Sequence, residues 1–144
     1  MGRENPPIVS VIGRSVADKT TFLTLLIAEL KARRYRLAII KHHNRRGIEI
    51  DQHGKDTWRH FQAGADAVII TAPDRMALYQ HLSRDLTPDQ AVDYLPHPVD
   101  LVITEGYKQA GKPAIEVVRA ARSTELTGDP ARLVALVTDL RFSL

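Results

Sequence analysis

Residues 8–21 read IVSVIGRSVADKTT. The run is apolar and rich in β-branched residues from Ile8 to Ile12 and stops at Gly13; Lys19-Thr20-Thr21 then open a helical pattern. Strand, short loop, Lys-Thr and helix are the layout of a loop that cradles nucleotide phosphates. The chemistry needs that order because N–H groups of the loop and of the helix N-terminus converge on one spot. An anion is favoured there, and the lysine ammonium adds a mobile positive charge. The pattern asks for Gly, four residues, then Gly-Lys-Ser/Thr. Gly13, Lys19 and Thr20 stand in register, but Asp18 replaces the second glycine. The competing interpretation is an ordinary tight turn between strand and helix. Asp18 adds a Cβ where backbone closely approaches phosphate. It also sets a carboxylate beside the expected anion, which costs about a few kcal/mol in a partly buried site. Alternatively it is an N-cap whose carboxylate takes the amides that phosphate would use. Both readings predict reduced nucleotide affinity.

Outward from this stretch, Leu23, Leu26, Ile27 and Leu30 recur at i, i+3, i+4, i+7 and predict a helix from about Thr20 to Arg34. A strand follows at Arg36 to Lys41, and strand–helix–strand at this spacing implies a right-handed parallel unit. The pattern is lost over residues 42–54, HHNRRGIEIDQHG, a polar loop rich in His and Arg. A second helix is expected from about Lys55 to Ala63, with Trp58, Phe61 and Ala65 inward and Gly64 as its stop. Ala67 to Thr71 reads as a strand, Pro73-Asp74 as a turn and Met76 to His81 as an adjoining strand. Thr87 is placed to cap a short helix with Pro88 at its first position. Further strands are Leu101 to Thr104, Ala114 to Arg119 and Leu133 to Thr138, with a polar connection from Ala120 to Arg132. Alternating apolar strands and amphipathic helices predict an α/β fold: three layers, with a mostly parallel sheet flanked by helices. At 144 residues the chain is expected to be a single domain, with residues 1–7 a flexible lead-in.

Composition narrows the classes. There is no cysteine, so disulfides, thiolate metal sites and a cysteine nucleophile are excluded. No apolar run approaches the roughly 18 residues of a membrane span. MGRENPP lacks the apolar core of a signal peptide, and Pro6 stands where a myristoylation signal needs Ser or Thr, so the expected location is cytoplasmic. A net charge of +3 suits an anionic ligand, while aromatics at 6% that do not interleave with basic residues argue against nucleic acid.

Two further segments carry chemistry. Residues 100–108, DLVITEGYK, are an apolar strand that delivers Glu105 to the carboxyl edge of the sheet, where open α/β sheets place ligands. Glu105 could there hold a Mg²⁺ water or orient an attacking water, with the Thr20 hydroxyl on the metal; an exposed strand-end acid is the bland alternative. In the loop from Lys41 to Asp56, the set His42, His43, Asp51 and His53 fits no standard metal spacing. A positive rim for a second anionic substrate, or a solvated loop, accounts for it better. His60, His81 and His97 stand alone.

Three separated segments together resemble one family. IVSVIGRSVADKTTFLTLLIAELKARRYRLAIIKHHN, IDQHGKDTWRHFQAGADAVII, and DLVITEGYK followed by PAIEVVR look like the molybdopterin-guanine dinucleotide biosynthesis protein MobB, from about residue 8 to about 139. The more specific parts are Gly54-Lys55-Asp56 with Ala63-Gly64-Ala65, and Glu105-Gly106-Tyr107-Lys108. The resemblance implies a P-loop NTPase-like fold and a GTP-binding accessory protein, at most a weak GTPase. Such a protein assists the guanylyltransferase that attaches GMP to molybdopterin, and is commonly a homodimer. Carried over by position, the loop Gly13, Arg14, Ser15, Val16, Ala17, Asp18, Lys19, Thr20 and Thr21 would bind phosphates. Thr20 and Glu105 would serve Mg²⁺, and Lys19 and Glu105 would be the catalytic pair. Lys41, His42, Asp51, Gly54, Lys55, Asp56 and Lys108 would line the site, with Asp139 near the base.

This sequence departs from the family at Val16 and Asp18, where glycine is usual, and its 144 residues hold no counterpart of the strand and helix with which the family generally continues. The rival function is a non-catalytic scaffold with a degenerate phosphate loop that acts through its partner. A small P-loop kinase is disfavoured by the lack of an Arg-rich lid segment.

Overall fold

Short runs of Val and Ile read as strands buried on both faces, as in parallel sheets, and five of them assemble that way. The computed structural model describes residues 5–14 and 18–141. The chain divides into two compact units, one built from residues up to 43 and from 86 onward, the other from residues 44–85.

In the first unit, β1 (Ile8–Ile12), β2 (Leu37–Lys41), β5 (Leu101–Glu105), β6 (Ala114–Val118) and β7 (Leu133–Thr138) form a parallel sheet in the order β2-β5-β1-β6-β7. β5 therefore lies between β1 and β2. The path out of β1 leads to one side of it, and the chain crosses to the other side at β6, so the carboxyl end of β1 is a switch point of the kind that hosts ligands. Alternation along each strand splits the core in two. Val11, Ile103 and Val117 pack with Leu23 of α1 (Lys19–Ala32), supported by Phe22, Leu26, Ile27 and Leu30. On the opposite face Ile8 and Val102 pack with Val92 of α3 (Pro88–Val92), supported by Ala38, Ile40, Leu95 and Val99. The three-layer expectation is met.

Local signals explain the element ends. Thr87 Oγ1 accepts from Gln90 N at 3.2 Å while Gln90 Oε1 accepts from Thr87 N at 3.0 Å, a reciprocal capping box with Pro88 behind it. α1 stops two residues short of the expected Arg34. Arg34 turns left-handed (φ 67°), and Tyr35 N donates to Leu30 O at 3.1 Å and Arg34 N to Lys31 O at 2.9 Å, closing the helix by the Schellman pattern. β2 is an edge strand, which leaves Ile39 40% exposed where the sequence suggests a buried run.

The second unit carries α2 (Asp56–Gln62) and an antiparallel pair, β3 (Ala67–Ala72) and β4 (Arg75–Gln80), in register from Ala67↔Gln80 to Ala72↔Arg75. The pair forms its own two-stranded sheet. Among the described residues no helix is long and apolar enough to cross a membrane.

Candidate functional site

Gly13 ends β1 with φ 143°, and a Cβ built there would lie 2.4 Å from Val117 O. Only glycine lets the chain leave β1 this close to β6. Ser15, Val16 and Ala17 lie outside the described residues. The chain is again described at Asp18, which precedes Lys19, the first residue of α1. Asp18 holds the N-cap position, but its backbone is left-handed (φ 57°, ψ 27°) and its side chain makes no cap hydrogen bond. The expectation that its carboxylate occupies the α1 amides is thereby corrected. The backbone takes a left-handed conformation that glycine adopts most readily, and the carboxylate goes elsewhere: Asp18 Oδ2 pairs with Arg119 Nη1, just past the end of β6.

Lys19 reaches back to the residues just after β1, its Nζ donating to Arg14 O at 2.8 Å and Gly13 O at 3.2 Å. Burial pushes its pKa below the ordinary lysine value. Glu105 opposes that shift, while the Lys108 and Lys41 charges add to it. Sheet register explains the grouping: Val11 of β1, Glu105 of β5 and Lys41 of β2 stand at one level across three strands. Lys41 Nζ lies 3.6 Å from Glu105 Oε1, and the Glu105 side chain is only 14% exposed. His42 N donates to Glu105 O at 3.0 Å, and the His42 ring stacks on Tyr107 at 4.2 Å. β5 then turns away through two positive-φ residues, Gly106 and Tyr107. Glycine suits position 106 because its φ is 106°, and a Cβ there would also press on His42 Cβ and O at 3.3 Å. Tyr107 Oη donates to Leu86 O at 2.9 Å, which fixes the turn before Lys108. Lys41 thus pairs with Glu105 at the carboxyl edge while Lys19 feels the charges of Glu105, Lys108 and Lys41, a net positive field suited to a polyphosphate.

The remaining site candidates fall in three places. Thr20 and Thr21 lie in the first turn of α1. Asp139 follows β7, where Oδ1 accepts from Ala120 N at 2.7 Å and Oδ2 from Arg119 Nε at 3.1 Å. The Ala120 amide above all, with help from Arg119, holds its pKa below the usual carboxylate value against the opposing effect of burial. Asp51, Gly54, Lys55 and Asp56 belong to the second unit, where they build the start of α2. Asp51 accepts from Thr57 Oγ1 and Gln52 N, Gly54 takes φ 80°, Lys55 is the N-cap residue and Asp56 sits in the first turn. The histidines pack on rings, His53 against Trp58 at 4.2 Å and Phe61 against His81 at 4.0 Å. Among the described residues no group of three or more His, Cys, Asp or Glu could hold a metal ion. Mg²⁺ does not need one. It commonly takes one or two carboxylates and completes its shell with phosphates and water, a chemistry that a hydroxyl and a carboxylate such as those of Thr20 and Glu105 could serve, with Lys41 as a competing partner of Glu105.

Two residues that sequence reasoning passed over are central. Arg119 is one. The other is Glu116, fully buried in β6, whose Oε1 accepts from Thr127 N at 2.6 Å and Thr127 Oγ1 at 2.7 Å and whose Oε2 accepts from Gly128 N at 3.0 Å. It ties the connection after β6 against Ile12, next to the phosphate loop; a Cβ on Gly128 would meet Ile12 Cδ1 at 2.4 Å. A carboxylate inside the apolar run AIEVV was the available signal.

Residues 8–139 match the family model described as molybdopterin guanine dinucleotide synthesis protein B, MobB. The chain belongs to the MobB family. It is 32% identical over 134 residues to a molybdopterin-guanine dinucleotide biosynthesis adapter protein of Haemophilus influenzae, spanning 92% of this chain and 75% of that one. To the protein of the same name from Escherichia coli it is 29% identical over 154 aligned positions, spanning 99% and 84%. Among solved structures, a crystal structure of molybdopterin-guanine biosynthesis protein B superposes with a TM-score of 0.68 at 30% identity, covering 93% of this chain and 84% of that one. Bacillus subtilis MobB gives 0.74 at 25% identity, covering 94% and 81%. The MobB fold is the three-layer α/β arrangement described above.

Proposed function

We propose that this MobB-family chain is an accessory protein of molybdenum-cofactor biosynthesis that binds GTP through the carboxyl edge of its sheet. It would serve the guanylyltransferase that joins GMP to molybdopterin, presenting a guanine nucleotide or the dinucleotide product. The observation that carries the reading is the carboxyl edge of the sheet, where Lys41 pairs with Glu105 at the level of Val11 and where the charges of Glu105, Lys108 and Lys41 all bear on Lys19. In it Lys19 neutralises phosphate charge, its ammonium moving from the Gly13 and Arg14 carbonyls to the anion. Thr20 and Glu105 are the residues that would hold Mg²⁺, which supplies charge neutralisation at the phosphates. The names of the relatives support the pathway, and the exposed apolar side chains of β3 and β4, among them Ile69 and Met76, support a homodimer. We place the protein in the cytoplasm.

The test is calorimetric titration with Mg·GTP and Mg·ATP, with Lys19→Ala as control. GTP should bind in preference to ATP and Lys19→Ala should abolish binding; equal indifference to both nucleotides would sink the proposal. One observation favours the scaffold reading: Asp18 brings a negative charge to the start of α1. Phosphate release in the presence of Mg²⁺ separates the two, since a scaffold retains guanylyltransferase binding and turns over no GTP.

A further inference from the structure

Asp18 ought to spoil an anion site. A carboxylate at the start of α1 is the natural ligand for the amides of the first helical turn, and those are the donors a phosphate needs. In the structure it makes no cap hydrogen bond. Arg119 emerges just past β6, beside the strand that Gly13 abuts, and its Nη1 holds Asp18 Oδ2. Its aim is fixed from the other side: Arg119 Nε donates to Asp139 Oδ2 at 3.1 Å, and Asp139 is itself held by Ala120 N at 2.7 Å. One guanidinium fork thus joins the phosphate loop, the end of β6 and the end of β7.

Resting on the nucleotide-binding reading above, we propose that Arg119 is a positioning residue of the phosphate site: it draws the Asp18 carboxylate off the N-terminal amides of α1 and so leaves them for an anion. The loss of the consensus glycine is then compensated by a residue 101 positions away in sequence. All three side chains are about half exposed, at 54%, 45% and 44% for Asp18, Arg119 and Asp139. Ion pairs this exposed contribute little to stability, so the consequence of losing Arg119 is read in ligand affinity and hardly in melting temperature.

The experiment is a mutant cycle in which Mg·GTP is titrated calorimetrically against the wild type, Arg119→Met, Asp18→Gly and the double variant, with melting temperatures alongside. Arg119→Met should weaken GTP binding by about tenfold or more, the scale of about 1.4 kcal/mol, with little change in melting temperature. In the Asp18→Gly background the same substitution should cost less than about threefold, because no carboxylate is left to restrain. Arg119→Lys, which keeps the charge, should recover part of the affinity. Unchanged affinity in Arg119→Met, or an equal loss with and without Asp18, overturns the proposal while GTP binding by the wild type stands. No binding by the wild type overturns both this proposal and the functional reading.

Discussion

β5 and β3 carry nearly the same side chains, LVITE against AVIITA, yet Ile103 is 1% exposed and Ile69 58% exposed. The difference lies in what each strand is placed against. β5 has β2 and β1 on its two sides, with α1 packed on one face of the sheet and α3 on the other. Among the described residues β3 has one strand partner, β4, and lies against the short helix α2. Both faces of the pair still leave apolar side chains at the surface: Ile69, Ile70, Met76 and Leu78 are all more than 40% exposed. A two-stranded sheet with so little cover is marginal in water, and exposed apolar surface of this kind marks association. Apolar content makes a strand; the layers around it decide whether that content is buried.

Truncation in the sheet of the first unit should show the largest effect. Ile103→Ala removes a fully packed side chain from between β1 and β2 and should lower the unfolding free energy by about 2–5 kcal/mol, measured by urea denaturation. Next comes the buried polar link. In Glu116→Gln the new amide nitrogen or oxygen can satisfy only part of the Thr127 and Gly128 donor set, and leaving a buried donor unpaired costs about 1–3 kcal/mol. Amide hydrogen exchange at Thr127 and Gly128 should speed up with it. Unchanged protection there would mean that the connection after β6 is held by other contacts.

Ile69→Ala then provides the contrast to Ile103→Ala. In the monomer it should change stability by no more than about 0.5 kcal/mol, as exposed substitutions do. Should copies of the chain associate through this sheet, the cost of Ile69→Ala will instead grow with protein concentration. Denaturation at two concentrations distinguishes the outcomes, and a concentration-independent cost as large as that of Ile103→Ala would end the contrast between the strands.

The strands and the long helix were legible because each is a local pattern. Ile8 to Ile12, Leu101 onward and Leu133 to Thr138 are recovered almost to the residue, and so is the Thr87-Pro88 helix start. That Glu105 and Lys41 stand together was legible because both end apolar strands, and parallel strands carry their ends to one edge. Which runs are buried was not legible, since neither strand order nor edge position is written in a single strand; Ile39 and Ile69 both show it. The partner of the Asp18 carboxylate was hidden for a related reason. Its sequence neighbours place Asp18 at the N-cap position, which it holds, whereas Arg119, which takes its side chain, is reached only after the sheet has formed. Glu116 escaped because the donors that make a buried carboxylate tolerable lie 11 and 12 residues on, in a connection with no periodicity.

The smallest expected effect again sets one unit against the other. Each carries an exposed Asp–Arg pair: Arg36 Nη2 to Asp100 Oδ1 at 2.7 Å in the first, Arg75 Nη2 to Asp74 Oδ2 at 2.6 Å in the second. The Arg36 side chain and then its backbone N–H pull the Asp100 pKa from 3.8 to about 2, and the Arg75 hydrogen bond lowers that of Asp74. The first pair spans 64 residues and joins the starts of β2 and β5; the second joins neighbours in a turn. A pair between neighbours can form in the unfolded chain as well, so it discriminates less between the two states. The sign follows from linkage. A carboxylate whose folded pKa is depressed contributes stability that is fully present above its unfolded value, and that contribution is lost as pH falls toward the folded pKa. Asp100→Asn should therefore lower the urea midpoint slightly at pH 7, and the gap to wild type should close between about pH 4 and about pH 2. Asp74→Asn should leave the midpoint unmoved at every pH. A gap for Asp100→Asn that persists unchanged at pH 2 would assign its effect to shape or packing rather than to the carboxylate charge.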